Sequence, residues 1–307
     1  VTIDMTLLRK LTEKSKELVI STDTVNISLA PGTISDEQIS SAGQRSMFKI
    51  SIGILNEQQT NETVKLPPGD GNSGLFMIGG KVFQFNAELI NNDKKLAISS
   101  FSKPVTISIS LKDIAISSVD TDKLGVYYYN EAERSWEYVG GSYNAAISFN
   151  TTHFSYYTVM KYEKTFNDIT THWARSYIEK MAAKQIAKGQ SGGDFQPESS
   201  ISRAEFTAVL VRALQLKNSK ENTVSFSDIK AGKWYEVEVN QAYNAGLVRK
   251  EDGVNFRPDV TITREEIAVM IARALQYKGL QLNLDEELIN SKLEVYTDSG
   301  EITTSAR

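Results

Sequence analysis

The sequence predicts a multidomain β-then-α chain, an antiparallel β-sandwich followed by helical helix-loop-helix repeats. Three observations predict it. Apolar residues alternate up to about residue 160, they follow a helical period beyond it, and a block of motifs in the second half recurs about sixty residues further on. A period of two marks strands with one buried face, and a period near 3.6 marks a helix face.

In the first half the alternation runs through Val25, Ile27, Leu29, then Ile50, Ile52, Ile54. It resumes in Phe83, Phe85, Ala87, Leu89 and in Val105, Ile107, Ile109, Leu111. Gly, Asn, Asp and Pro clusters separate these runs, among them Pro67-Pro68-Gly69-Asp70-Gly71 and Gly79-Gly80, which read as turns. Leu7, Leu8 and Leu11 share a face, so Asp4 to Lys16 reads as a short helix. Leu124 to Tyr129 and Trp136 to Val139 read as a hairpin turning at Asn130 to Ser135. About eight or nine strands in this arrangement predict a sandwich. After the charged joint at Met160 to Thr165, helix faces are expected from Trp173, Ile178, Met181, Ala182 and from Phe206, Val209, Leu210, Leu214.

Composition narrows the chemistry. The chain has no cysteine, which excludes disulfides, thiolate nucleophiles and zinc–thiolate sites. Its two histidines, His153 and His172, lie far apart, so no histidine-based triad, metal site or cofactor is expected. His153 reads as a hydrogen-bonded strand residue, and Asp113, Asp120 and Asp122 as solvated loop residues. A formal charge of −4 offers no general attraction for nucleic acid or anionic lipid, and no apolar run is long enough to insert in a membrane.

The repeat is the most specific signal. Phe166-Asn167-Asp168 recurs as Phe226-Ser227-Asp228, and Trp173 as Trp234. Phe195-Gln196-Pro197 recurs as Phe256-Arg257-Pro258, and Ile201-Ser202-Arg203-Ala204-Glu205-Phe206 as Ile262-Thr263-Arg264-Glu265-Glu266-Ile267. Tyr296-Thr297-Asp298, with Ile302 and Ala306-Arg307 after it, looks like the start of a third unit, with Ser305 where Trp is expected. This pattern resembles the S-layer homology domain. Expected boundaries are a sandwich over 1–160 as spacer or surface module, a first repeat over 161–222, a second over 223–282, and a linker with the start of a third over 283–307.

The resemblance implies a non-catalytic role: anchoring at the Gram-positive cell wall or S-layer by binding an acidic, pyruvylated secondary cell wall polymer in grooves between units, with self-association in an S-layer as a further implied partner. A second reading stands beside it, in which the chain is the anchoring tail of a cell-bound polysaccharide hydrolase whose catalytic domain lies upstream of Val1.

The residues themselves suggest how an acidic sugar is held. Ser202 with Glu205 and Thr263 with Glu266 are capping boxes, in which a hydroxyl accepts from the third helical amide and the carboxylate reaches back. Arg203 and Arg264 therefore sit in first helical turns, beside open amides and the positive helix end, where a carboxylate is bound through a fork of hydrogen bonds. They are the expected anion contacts. Trp173 and Trp234 either stack on a sugar face or fill the core. Asp168 and Asp228 either cap a helix or accept sugar hydroxyls. Gly189 allows close backbone approach, and Lys250 replaces it in the second unit. The expected groove combines Arg203 with Asp228 and Trp234. In the sandwich, Tyr127, Tyr129, Trp136 and Tyr138 read either as an aromatic platform or as core.

Overall fold

The computed structural model describes residues 1–41, 46–65, 74–92, 94–112, 114, 116, 118–216, 226–249, 254–280 and 285–303. The turn expected at Pro67 to Gly71, Asp113, Lys250, Ser305 and Ala306-Arg307 lie outside the described residues. The chain divides into two compact units, Val1–Gln185 with Gly192–Asp194, and Ile186–Ser191 with Phe195–Arg307.

The first unit begins with β1 (Thr2–Asp4), α1 (Met5–Glu13), β2 (Leu18–Ser21), β3 (Val25–Leu29), α2 (Asp36–Ser41), β4 (Met47–Leu55) and α3 (Glu57–Thr63). It continues with β5 (Gly74–Asn91), β6 (Lys94–Ala97), β7 (Val105–Ser110), β8 (Leu124–Asn130) and β9 (Ser135–Gly140). It closes with β10 (Ser142–Asn144), β11 (Ala146–Thr151), β12 (Tyr156–Glu163) and α4 (Arg175–Ala183). One sheet runs β1-β4-β5-β12-β8-β9 with β6 also paired to β5, and the other runs β10-β11-β7-β3-β2. All strand pairings in both sheets are antiparallel.

The fold is the predicted sandwich. Its core takes the inward positions of each alternating run. Ile27, Ile107, Ile109 and Phe149 from one sheet are packed with Phe48, Ile50, Phe85, Val126 and Tyr157 from the other. Burying an aliphatic or aromatic side chain of this size stabilises by about 1.5–3 kcal/mol. The hydroxyl of Tyr157, set deep among them, is satisfied: it donates to the His153 carbonyl at 2.7 Å and lies 2.8 Å from Thr151 Oγ1. The predicted hairpin is β8–β9, with Tyr129 opposite Trp136 and Asn130 opposite Ser135. The predicted helix is α1, capped by Asp4, which accepts from the Thr6 amide.

Two details differ from expectation, and one open alternative is decided. Gly79-Gly80 is not a turn between strands but an irregularity inside the 18-residue strand β5, where the register against β12 shifts between Thr158 and Met160. Gly79 has φ +72°, and a Cβ there would stand 2.6 Å from Ile114, so the chain needs glycine for both conformation and space. Of the two readings open for Tyr127 and Tyr129, platform or core, both side chains are buried and belong to the core. His153 lies in the bend between β11 and β12 rather than in a strand, its ring edge-on to Tyr128 at 4.9 Å.

The joint expected at residues 160–165 is not a free linker. Strand β12 continues to Glu163, and α4 packs on it and on the turn Thr121–Lys123. Lys123 Nζ lies 2.8 Å from Glu163 and 2.9 Å from Glu179, Lys180 pairs with Asp122 at 2.6 Å, and Arg175 pairs with Glu179. Lys184 Nζ donates to the carbonyls of Leu124 and Gly141, and its burial lowers its pKa. Ile178, Ala182 and Ala183 are the buried face of α4, whereas Met181 is exposed.

The charge cluster is tuned for neutral pH. Burial raises the Glu163 and Glu179 pKa values, but hydrogen bonds from Lys123, Lys161 and Arg175 outweigh it and hold both below their ordinary 4.5. Burial pulls Lys123 down, and its two carboxylate partners more than reverse that. The carboxylate contribution is thus full above the ordinary carboxylate range and is lost as pH falls through the lowered values; the Lys123 contribution persists until pH rises past 10.5. Lys123→Met is expected to cost the first unit about 2 kcal/mol at neutral pH, measured by chemical denaturation of the full chain. The difference from wild type should shrink as the pH is lowered through the carboxylate range.

Candidate functional site

The second unit carries α5 (Arg203–Leu214), α6 (Glu236–Asn244), α7 (Arg264–Tyr277) and α8 (Glu286–Leu293). Both predicted capping boxes are formed: Ser202 and Glu205 close the start of α5, and Thr263 and Glu266 the start of α7. Burial raises the Glu205 carboxyl, but bonds from the Ser202 amide and hydroxyl and from Gln190 pull it below its ordinary value. The core between the helices is Ala204, Val211, Phe226, Tyr235, Val239, Ala242, Phe256 and Met270.

The two Ile-Ser/Thr-Arg motifs meet each other. Ser202 and Thr261 form an antiparallel bridge, the Ile262 amide donates to the Ile201 carbonyl, and the Arg203 amide donates to the Val260 carbonyl at 2.9 Å. The Ala204 amide donates to the Pro258 carbonyl at 3.0 Å. The first amides of α5, expected to stand open to an anion, are therefore taken by the backbone of the second repeat. Arg203 itself is 6% exposed; its Nη1 lies 2.9 Å from Glu266 Oε1 and its guanidinium lies over the Phe256 ring. Glu266 thus caps α7 through Thr263 and grips Arg203 and Arg257. Arg264, the counterpart in the second copy, is exposed at the start of α7.

The aspartates and tryptophans separate in a similar way. Asp228 accepts from the Phe256 and Arg257 amides at 2.8 and 2.6 Å, so it ties the start of its repeat to the Phe-x-Pro corner twenty-eight residues on rather than capping the next helix. That corner needs the tie, because Arg257 takes a left-handed φ of +59°, as Gln196 does at +62°. Asp168 is exposed. Trp173 and Trp234 are 81% and 54% exposed, so neither fills the core. Trp173 precedes α4, beside His172, whose Nδ1 accepts from the Ala174 amide.

The structure does form a groove, of about 650 Å³, in the second unit. Its walls are residues 186–190, 195–197 and 199–201, the face of α5 bearing Glu205, Ala208, Val209 and Arg212, and, from the second repeat, Trp234 and Glu238. Gly189, with φ +74°, lies in that loop wall. Trp234 lines the groove and Gly189 stands with it, whereas Arg203 and Asp228, the expected companions of Trp234, are not among its lining residues. In their place stand Lys188, Arg212 and Glu238. Arg212 bonds the Ile186 carbonyl, which holds the loop stem, and pairs with Glu238 at 3.0 Å. Gln190 donates to Glu205 at 3.0 Å and fixes the loop on α5. The signal for Arg212 was in the repeat: Arg212-Ala213-Leu214 recurs as Arg273-Ala274-Leu275, and Arg273 bonds the Leu247 carbonyl as Arg212 bonds that of Ile186.

Among the described residues no cluster of His, Asp and Glu is arranged to hold a metal ion, and no helix is long and apolar enough to cross a membrane. The family profile of the S-layer homology domain matches residues 165–207 and 225–268. The chain thus carries two S-layer homology domains, which indicate the Gram-positive cell surface and imply an anchoring role.

Relatives carry both kinds of printed name. An "Amylopullulanase" of Thermoanaerobacterium thermosulfurigenes is 35% identical over 274 residues, 86% of this chain and 14% of that protein. "Exoglucanase XynX" of Acetivibrio thermocellus is 34% identical over 151 residues, 49% of this chain and 13% of that protein. "S-layer protein sap" of Bacillus anthracis is 31% identical over 112 residues, 36% of this chain and 14% of that protein. The chain thus spans about one-seventh of the length of these relatives.

Arg203→Ala is expected to cost the second unit about 2 kcal/mol, because it removes one of the two arginines that meet Glu266 and empties the space over Phe256. Arg264→Ala should stay within about 0.5 kcal/mol of wild type. Urea denaturation of the two variants measures the contrast.

Proposed function

We propose that the chain anchors its protein by binding a secondary cell wall polymer in the groove of the second unit, and that the polymer is acidic, carrying a pyruvate ketal. The observation that carries this reading is the groove itself, with an exposed indole at one wall, a glycine-permitted loop at the other and a guanidinium between them. An indole face stacks on the apolar side of a sugar ring, and a guanidinium meets a carboxylate through paired hydrogen bonds. Asp168, Trp173 and Arg264 are exposed and stand as further contacts for the same polymer. The capping residues Ser202, Glu205, Thr263 and Glu266 serve by fixing the helices that build the groove.

A second reading concerns the rest of the protein. The match of 274 residues to the amylopullulanase is longer than the repeat region and takes in much of the sandwich, whereas the match to the S-layer protein of B. anthracis spans 112 residues. This favours an anchoring tail of a polysaccharide hydrolase over a lattice-forming S-layer subunit, with the sandwich as spacer. The coding sequence upstream of Val1 tests it: a glycoside hydrolase domain there supports the tail reading, and none there overturns it.

The chain is expected to sediment with purified wall sacculi and to stay in solution once the acidic polymer has been stripped from them. Equal sedimentation with stripped walls would exclude the polymer. Trp234→Ala should weaken wall binding about tenfold with no change in the melting temperature, since the indole is exposed.

A further inference from the structure

Glu238 has no counterpart in the first repeat, where Tyr177 occupies the position sixty-one residues earlier (177 to 238). It lines the groove, and its Oε1 accepts from Arg212 Nη2 at 3.0 Å. Both side chains are about one-fifth exposed, at 20% for Arg212 and 17% for Glu238. Arg212 Nη1 is turned to the Ile186 carbonyl, and its Nε is buried with no hydrogen-bond partner. The guanidinium edge within reach of a ligand is therefore the one Glu238 already holds. Over the groove as a whole, Lys188 and Arg212 are balanced by Glu205 and Glu238. Glu205 is committed to the α5 cap and to Gln190, whereas Glu238 makes its bond to Arg212 across the groove wall.

We propose that Glu238 is the specificity-determining residue of this groove: it occupies the Arg212 fork as an internal substitute for a ligand carboxylate. The inference rests on the groove being the polymer site. An uncharged sugar unit leaves the Arg212–Glu238 pair intact and is bound by stacking and hydroxyl contacts. A unit carrying a carboxylate must displace Glu238 from Arg212 and then sit beside it, two like charges within a few ångströms in a partly desolvated wall. Glu238 thus holds the preference for acidic units below what the cations alone would set. Replacing it by an isosteric amide removes the competition and keeps a hydrogen-bond acceptor for Arg212.

The test is calorimetry of the full chain with a pyruvylated monosaccharide and with the same sugar lacking the ketal. Glu238→Gln is expected to raise affinity for the pyruvylated sugar roughly tenfold and to leave the ketal-free sugar within about twofold. Arg212→Gln should abolish that preference in both backgrounds, with melting curves confirming that each variant is folded. An equal change for both sugars, or a fall for the acidic one, overturns the inference and makes Glu238 a strut for Arg212. Wild-type chain that binds neither sugar overturns the groove reading itself, and with it this inference.

Discussion

Glu266 is the residue on which the arrangement of the repeats depends. One carboxylate caps α7, receives the buried guanidinium of Arg203 from the preceding repeat, and receives Arg257 from its own loop. A buried arginine without such a partner would carry an uncompensated charge, and a helix start without such a cap would leave amides unbonded. Because the same group answers both demands, the two repeats have one register relative to each other. The bridge between Ser202 and Thr261 follows from that register, and so does the approach of Trp234 and Glu238 to the loop of the first repeat.

The groove is thus a by-product of how the repeats join. Its floor is a helix fixed by its cap, one wall is a loop pinned through Arg212 and Gln190, and the other wall is brought by the second repeat. Little of this requires the ligand to shape it. If the groove is the polymer site proposed above, little binding energy is spent on ordering the loop.

Much of the fold was legible because the burial pattern is written in the period. The runs at Val25, Ile50, Phe83 and Val105 belong to strands whose inward residues are core, and both capping boxes formed as spaced. The short strands β1, β2, β6 and β10 are three or four residues long and carry too few alternations to be read. The site was less legible, for a physical reason. Motif spacing shows that Arg203 starts a helix, but not that a carboxylate sixty-three residues later (203 to 266) will meet it. A first-turn arginine facing solvent and one facing a neighbouring repeat look alike in sequence. Arg264 and Arg203 show both outcomes of one motif. Arg212 and Glu238 were missed because helix-interior charges read as a solvated face until the packing places them in a wall.

The contact of α4 with the sandwich has a mechanical consequence. A protein held at a wall is pulled by whatever drags on the cell, and the load enters along the backbone. Since β12 is hydrogen-bonded on both sides to its end region and α4 is locked by Lys123, Lys180 and Lys184, the segment between them cannot simply peel open. Opening this segment therefore means breaking the Lys123, Lys180 and Lys184 contacts of α4 as well as the end of β12. The stretch that reads in sequence as a short charged joint is thus fastened at both ends to the sandwich.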